Sequence, residues 1–317
     1  MRGEGVEGLL NIREEVAAAL AEGKPVVALE STVIAHGLPK PHNVDTARAM
    51  EMAVRESGGV PATIGVLRGR LVVGLSEEQI AVLAESEEVA KVSRADLAAV
   101  LASGRAGATT VAATMFVAAL AGIRVFATGG IGGVHRGGER SMDVSADLTE
   151  LSRTPVAVVC AGGKAILDLQ RTLEVLETLG VPVVGFGTSE FPAFYSRESG
   201  LALAHRVDSA EDAARLMVMQ WHCARAEPGR ALGGILFVNP PPMESALPRV
   251  EVEGLIAKAV ALGEQKGVRG KAVTPYLLAE VAKLSGGRTL RANTDLLVAN
   301  ARLAGKIAAA ECALKRQ

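Results

Sequence analysis

Lys164 stands directly after the apolar run Val156–Ala161 and a Gly162-Gly163 turn, and ahead of AILDLQRTLEVLETLG, a segment with helical spacing. An amine there is expected to open a helix. The partial positive charge of a helix N-terminus and apolar surroundings both disfavour an ammonium, so both should lower its pKa and favour the neutral nucleophile. Such a lysine can form an imine with a sugar carbon. First-turn lysines are also commonly solvated, and the local sequence does not choose between the two.

A second concentration of chemistry is TGGIGGVHRGGERSMDVSADL, residues 128–148, which gathers glycine pairs, an imidazole, carboxylates and serine hydroxyls. Glycines let backbone approach a ligand and leave N–H groups for an anion. Asp143 and Asp147, read as parts of an extended loop, suit a hard cation that keeps water ligands. An ordinary Gly-rich surface loop has the same composition. Glu30 ends the apolar run PVVALE, where partial desolvation would raise its pKa into a range useful to a proton donor; a loop carboxylate ahead of Ser31 and Thr32 fits equally. Among the histidines, His36 and His135 lie in Gly-rich loops, while His42, His205 and His222 show no ligand spacing, so a zinc site is not expected and only His135 is taken as a site residue.

These groups must be carried by a strand–helix alternation. Residues 9–22 read as a helix, PVVALE as a buried strand, Asp45–Ser57 as a helix, and ATIGVLRGRLVVGL as two strands around Arg68-Gly69. Helices follow at Ser76–Ala84 and Arg94–Leu101, with Lys91–Ser93 extended between them. Thr109 or Thr110 caps a small-residue helix before the strand IRVFAT. The stretch from Thr154 to Gly187 reads strand, turn, helix, strand, with Ile166, Leu169, Leu173 and Leu176 on one apolar face and its two strands parallel. GGILFVNPPP gives another strand, then Met243–Lys266, Pro275–Leu284 and Thr294–Cys312 read as helices. No repeat, linker or charge block divides residues 1–317, so one α/β domain is expected.

Composition narrows the class. Hydrophobic residues make up 49%, aromatics 3%, and there are 35 glycines, which suits closely packed helices and strands rather than disorder. With 34 basic against 35 acidic residues and a net charge of -1, there is no footprint for a nucleic-acid polymer. MRGEGVEGLL has no apolar leader core and no run approaches the ~20 residues of a membrane helix, so a cytoplasmic protein is expected. Cys160, Cys223 and Cys312 are read as reduced thiols.

Taken in order, ALESTVIAHGLPKPHN, PATIGV, KVSRADL, GATTVAATM, FATGGIGGVHRG, MDVSADL, CAGGKAILDL, GFGTSEFPAFY, NPPP and ANTDLLVANARLAGKIA resemble the pseudouridine-5'-phosphate glycosidase family, also called indigoidine synthase A-like, from about Val26 to Ala308. The resemblance implies a three-layer α/β/α sandwich with a large mixed sheet, in a homotrimer. It makes Lys164 the nucleophile, Glu30 the proton donor, and Asp143 the ligand of a divalent metal, manganese. It places Lys91, Val111, Ser145, Ala146 and Asp147 against the substrate, with Thr128, His135 and Asn293 in matching segments. The implied reaction is reversible cleavage of the C–C bond of pseudouridine 5'-phosphate to uracil and ribose 5-phosphate through a lysine imine. A phosphosugar aldolase or kinase, or a noncatalytic nucleotide-binding protein, would use similar loops. The absence of Gly-x-x-x-x-Gly-Lys-Ser/Thr counts against nucleoside-triphosphate chemistry.

Overall fold

The computed structural model describes residues 8–225, 233–268, 270 and 273–315. The N-terminal MRGEGVE, read above for a leader, lies outside them. An 11-stranded sheet forms the middle layer. Its main path runs Leu10–Ile12, Arg70–Val73, Val60–Leu67, Val26–Leu29, Val125–Ala127, Ala157–Cys160, Ile235–Val238, Val183–Phe186 and His205–Val207. Ala90–Val92 and Gly107–Thr109 branch from Val60–Leu67, which pairs antiparallel with Gly107–Thr109 and Arg70–Val73. The other pairings in the sheet are parallel, so the sheet is mixed as expected.

Period-two alternation builds the layers. Val27, Leu29, Val125, Ala127, Ala157 and Val159 enter one core with Leu296, Leu297, Ala301 and Ala304 of the helix Arg288–Leu314. Val26, Ala28, Phe126, Val158 and Cys160 enter the other, with Val111, Met115 and Val117 of the helix Val111–Leu120. Both faces are covered, which is why these short central strands are apolar at every position. The result is one α/β/α sandwich.

The hairpin around Arg68-Gly69 forms as read, both residues having positive φ. Thr110 is the cap of Val111–Leu120, its hydroxyl accepting from Ala113 N–H. Several boundaries move. Residues 10–12 are a strand, because they pair with Arg70–Val73, and the first helix is Glu14–Ala21. Val33–Gly37 forms a π-type turn inside the segment read as loop, and the next helix starts at His42. The strands flanking the Lys164 segment are parallel, but Ile235–Val238 inserts between them. The penultimate helices are Arg249–Gln265 and Val273–Leu284, and the last is Arg288–Leu314, long enough to include Asn293.

The largest correction concerns Lys164, which does not open a helix. After Gly163 the chain makes a turn at Ala165-Ile166 and is paired on both sides of it. Lys164 N–H donates to Ile131 C=O at 3.1 Å, and Leu167–Asp168 form a two-stranded ladder with Val134–His135. The helix begins only at Leu169, capped by the Asp168 carboxylate. Ile166 therefore lies in the preceding turn rather than on the helical face, and Lys164 is not at the N-terminus of the helix that follows it.

Candidate functional site

The sheet's central strands deliver the site. Val26–Leu29, Val125–Ala127 and Ala157–Cys160 are adjacent and parallel, and their carboxyl ends run into Glu30, Thr128–Gly130 and Gly162–Lys164. Ligands favour that edge of an α/β sheet. The parallel pairing continues past the strand ends, with Thr128 N–H donating to Val159 C=O, Ala161 N–H to Gly129 C=O and Ile131 N–H to Gly162 C=O. The Gly-rich loop and the lysine loop are thereby held as one unit. Gly162 has φ +85°, and a Cβ there would lie 2.3 Å from Pro192 C=O, so only glycine turns the chain towards Lys164.

A cavity of about 360 Å³ opens on this edge. Glu30, Lys91, Val111, Thr128, His135, Asp143, Ser145, Asp147, Lys164 and Asn293 all line it. Ala146 is exposed and does not; it borders a separate hollow beside Arg94 and Phe116.

Glu30 is 6% exposed, and its carboxylate accepts from the hydroxyls of Thr32 and Thr128, one to each oxygen. The two donors fix its orientation. Lys164 is half-buried in the same cavity, and its amine has no ion-pair partner among the described residues.

Asp147 is in the short helix Ala146–Leu151, not in an extended loop. Its Oδ1 accepts from Ala112 N–H at 2.9 Å and its Oδ2 from Gly132 N–H at 2.7 Å. It therefore braces the Gly-rich loop against the start of Val111–Leu120. A Cβ at Gly132 would sit 2.8 Å from Asp147 Oδ2 and 2.3 Å from Ser145 Oγ. Val111 is only 1% exposed, so what it can offer a ligand is backbone. Thr110 takes the Ala113 amide and Asp147 the Ala112 amide. The Val111 N–H is left as the first-turn donor without a partner among the described residues, in the cavity that Lys91 of the strand Ala90–Val92 also lines. An amide at a helix N-terminus with a lysine nearby is a phosphate-binding arrangement.

His135 is half-buried, and burial pushes its pKa down, helped by the Lys164 and Lys91 charges and opposed by Asp143. Asp143 is exposed at the cavity, and no cluster of three or more His, Cys, Asp and Glu that could cage a metal occurs among the described residues. A single carboxylate oxygen donor fits a hard divalent cation that retains several waters, the usual state of magnesium-like ions.

Three groups were missed in the sequence. Thr32 and His36 lie within the motif containing Glu30 and line the cavity. Asn300 is fully buried, donating to Thr128 C=O at 2.9 Å and accepting from Asn239 Nδ2 at 3.0 Å. Its signal was an amide on the apolar stripe of Leu296, Leu297, Ala301 and Ala304.

Residues 15–310 match the family model described as indigoidine synthase A like protein. A protein of Caldanaerobacter subterraneus subsp. tengcongensis named pseudouridine-5'-phosphate glycosidase is 54% identical over 299 residues, covering 94% of this chain and 95% of that one. One of Paracoccus denitrificans with the same name is 55% identical over 304 residues, covering 95% and 98%. Among solved structures, the prealnumycin C-glycosynthase AlnA in complex with ribulose 5-phosphate superposes with a TM-score of 0.88 at 42% identity, covering 97% of this chain and 98% of that chain. An indigoidine synthase A-like protein from Thermotoga maritima gives 0.86 at 38% identity, with 98% of each chain covered. Matched along almost its whole length by sequence and by backbone, the chain belongs to the indigoidine synthase A-like family of pseudouridine-5'-phosphate glycosidases.

Proposed function

We propose that this enzyme reversibly cleaves the C–C glycosidic bond of pseudouridine 5'-phosphate, giving uracil and ribose 5-phosphate, with Lys164 as nucleophile and Glu30 as proton donor. The observation that carries this reading is that Lys164 and Glu30 line one cavity at the ends of parallel strands separated by a single strand. The names of the relatives and the phosphosugar held by the C-glycosynthase support it.

The chemistry explains why a lysine is used. Simple hydrolysis would have to expel a carbanion, which protonation of a leaving oxygen cannot rescue. The neutral Lys164 amine attacks ribose C1, the C1–O bond to the ring oxygen breaks, and Glu30 protonates that oxygen. The nitrogen, now bonded to C1, gives up one proton, and C5 of the uracil ring takes one up, leaving positive charge at C6 that the ring N1 shares. The lone pair on the lysine nitrogen then forms the C1=N bond as the C1–C5 bond breaks, and the electrons of that bond restore the C5=C6 double bond of uracil. The imine left between Lys164 and C1 takes up water and releases ribose 5-phosphate and the free amine, so the net reaction consumes one water. A pair of carboxylates, as in O-glycoside hydrolysis, is not required.

Lys91 and the Val111 N–H receive the phosphate dianion, and Thr128 and Thr32 hold Glu30 in place. Ser145, His135 and Asn293 wall the sugar and base, while Asp147 acts by bracing the loop. Asp143 would hold a divalent metal, manganese in this reading, which when bound supplies a fixed positive charge with ordered waters. The assembly is a homotrimer in this proposal, which light scattering on the purified protein checks.

The test follows uracil formation from pseudouridine 5'-phosphate, with Lys164→Ala as control. Wild type should release uracil, and the variant should lose at least about 1,000-fold in kcat with an unchanged melting temperature. Borohydride with ribose 5-phosphate should leave a reduced sugar on Lys164 of the wild type. Normal turnover by Lys164→Ala would overturn the assignment.

A further inference from the structure

Leu278 stands on the helix Val273–Leu284, one turn after Thr274, and both line the cavity together with Pro275. Residues four apart share a helical face, so this face of the helix looks onto the cavity. The neighbouring stripe, Leu277 and Val281, is buried in the core with Val252, Ile256 and Ala259 of Arg249–Gln265. The helix is thus held from behind, and it meets the turn Val33–Gly37 that follows Glu30. The cavity offers little apolar surface elsewhere. Val111, Leu167, Phe194 and Leu297 line it but are each at most 2% exposed. Among the described residues, the apolar side chains that line it and keep accessible surface are those of Val33, Pro275 and Leu278, all half-buried.

This wall stands away from the Val111 N–H assigned to the phosphate. Val111 starts a helix packed on one face of the sheet, in the core that holds Val158 and Cys160, whereas Leu277 and Val281 of the Leu278 helix enter the core on the other face, with Val159. Glu30 and Lys164 leave the strand ends between these two layers. With the phosphate at one side and ribose C1 held between Lys164 and Glu30, the substituent on C1 is directed to the other side. A phosphate or a ribose hydroxyl would lose water against an apolar wall without gaining a hydrogen bond. The π faces of a planar base give up no hydrogen bonds there, and its edges stay free for polar groups. We infer that Leu278, with Val33 and Pro275 beside it, packs against the face of the uracil ring, which makes it a specificity residue for the carbon acceptor rather than for the sugar phosphate. The inference rests on the phosphosugar reading above and names the part of the site that receives the base.

The experiment separates the two halves of the substrate. Uracil is varied in the direction of synthesis with ribose 5-phosphate saturating, and borohydride capture of ribose 5-phosphate on Lys164 is followed without uracil. Leu278→Ala should raise the KM for uracil about 10-fold through lost packing surface. Leu278→Met, which restores the volume, should recover most of that loss. Leu278→Trp should fill the space and lower kcat/KM for uracil by at least about 100-fold. In all three, the ribose 5-phosphate concentration that gives half-maximal capture should stay within about 3-fold of wild type, as expected of sites that do not touch. Melting temperatures and sugar capture report the folding of each variant independently of uracil. The inference is overturned if Leu278→Trp uses uracil as the wild type does. Sugar capture that weakens in step with uracil use, in variants that melt as the wild type does, would also overturn it by placing Leu278 against the sugar phosphate. Leu278→Ala introduces nothing that could clash, so an unchanged KM for uracil in that variant overturns the inference even if Leu278→Trp does not fold. Absence of a sugar adduct in the wild type would instead sink the lysine chemistry proposed above.

Discussion

The two edges of the sheet carry hollows of similar size and opposite character. At the amino ends of the strands, a space of about 440 Å³ is bordered by Glu22, Lys24, Arg124, Glu311 and Lys315. Those charges are matched within the protein: Lys24 pairs with Glu22 at 2.5 Å, Lys315 with Glu311 at 2.5 Å, and Arg124 lies over the Trp221 ring. At the carboxyl ends, the smaller cavity of about 360 Å³ is lined by Lys164, whose amine has no ion pair among the described residues, and by Val111, whose amide has no acceptor among them. Volume therefore does not mark the site. What marks it is polar chemistry that the fold positions and leaves unsatisfied, at the edge where strands hand over to loops.

The contrast can be broken by substitution. At the carboxyl edge, Glu30→Gln keeps the shape but removes the proton donor, and should lower kcat by about 100- to 10,000-fold while binding of ribose 5-phosphate persists. Near-normal turnover would show that the acid lies elsewhere. Asp147→Ala strips two amides of a carboxylate partner, and urea denaturation should show a loss of about 3 kcal/mol along with activity. A variant as stable as wild type would deny Asp147 its bracing role. Asn300→Leu leaves the Thr128 carbonyl and the Asn239 amide unpaired, and should cost about 2 kcal/mol by the same measurement. Lys24→Ala, at the opposite edge, should change stability by no more than about 0.5 kcal/mol and leave kcat/KM unaltered. An effect on catalysis there would mean that the two edges communicate.

Layering was legible in the sequence because four-residue apolar runs and helical stripes have fixed periods, and Glu30 and Lys164 could be placed at strand ends for that reason. Their surroundings were less legible. The helix expected at Lys164 is absent because Gly163, Lys164, Leu167 and Asp168 pair with the loop at 131–135, a partner chosen by tertiary structure rather than local propensity. Asp147 has the same type and spacing as a metal ligand, yet its oxygens are taken by amides 35 and 15 residues away in the chain. Asn300 was hidden in an apolar helix, since no local pattern tells a bracing amide from a solvated one.

Adjacent strands in a sheet lie about 4.8 Å apart. Because Val125–Ala127 separates the strand that ends at Glu30 from the one that leads to Lys164, the backbone departure points of acid and amine differ by two such steps, about 10 Å. The sheet thus works as a ruler. Loops around the cavity can be rebuilt to admit another sugar phosphate or another carbon acceptor, and the interval between proton source and nucleophile will remain set by the strand that neither residue belongs to.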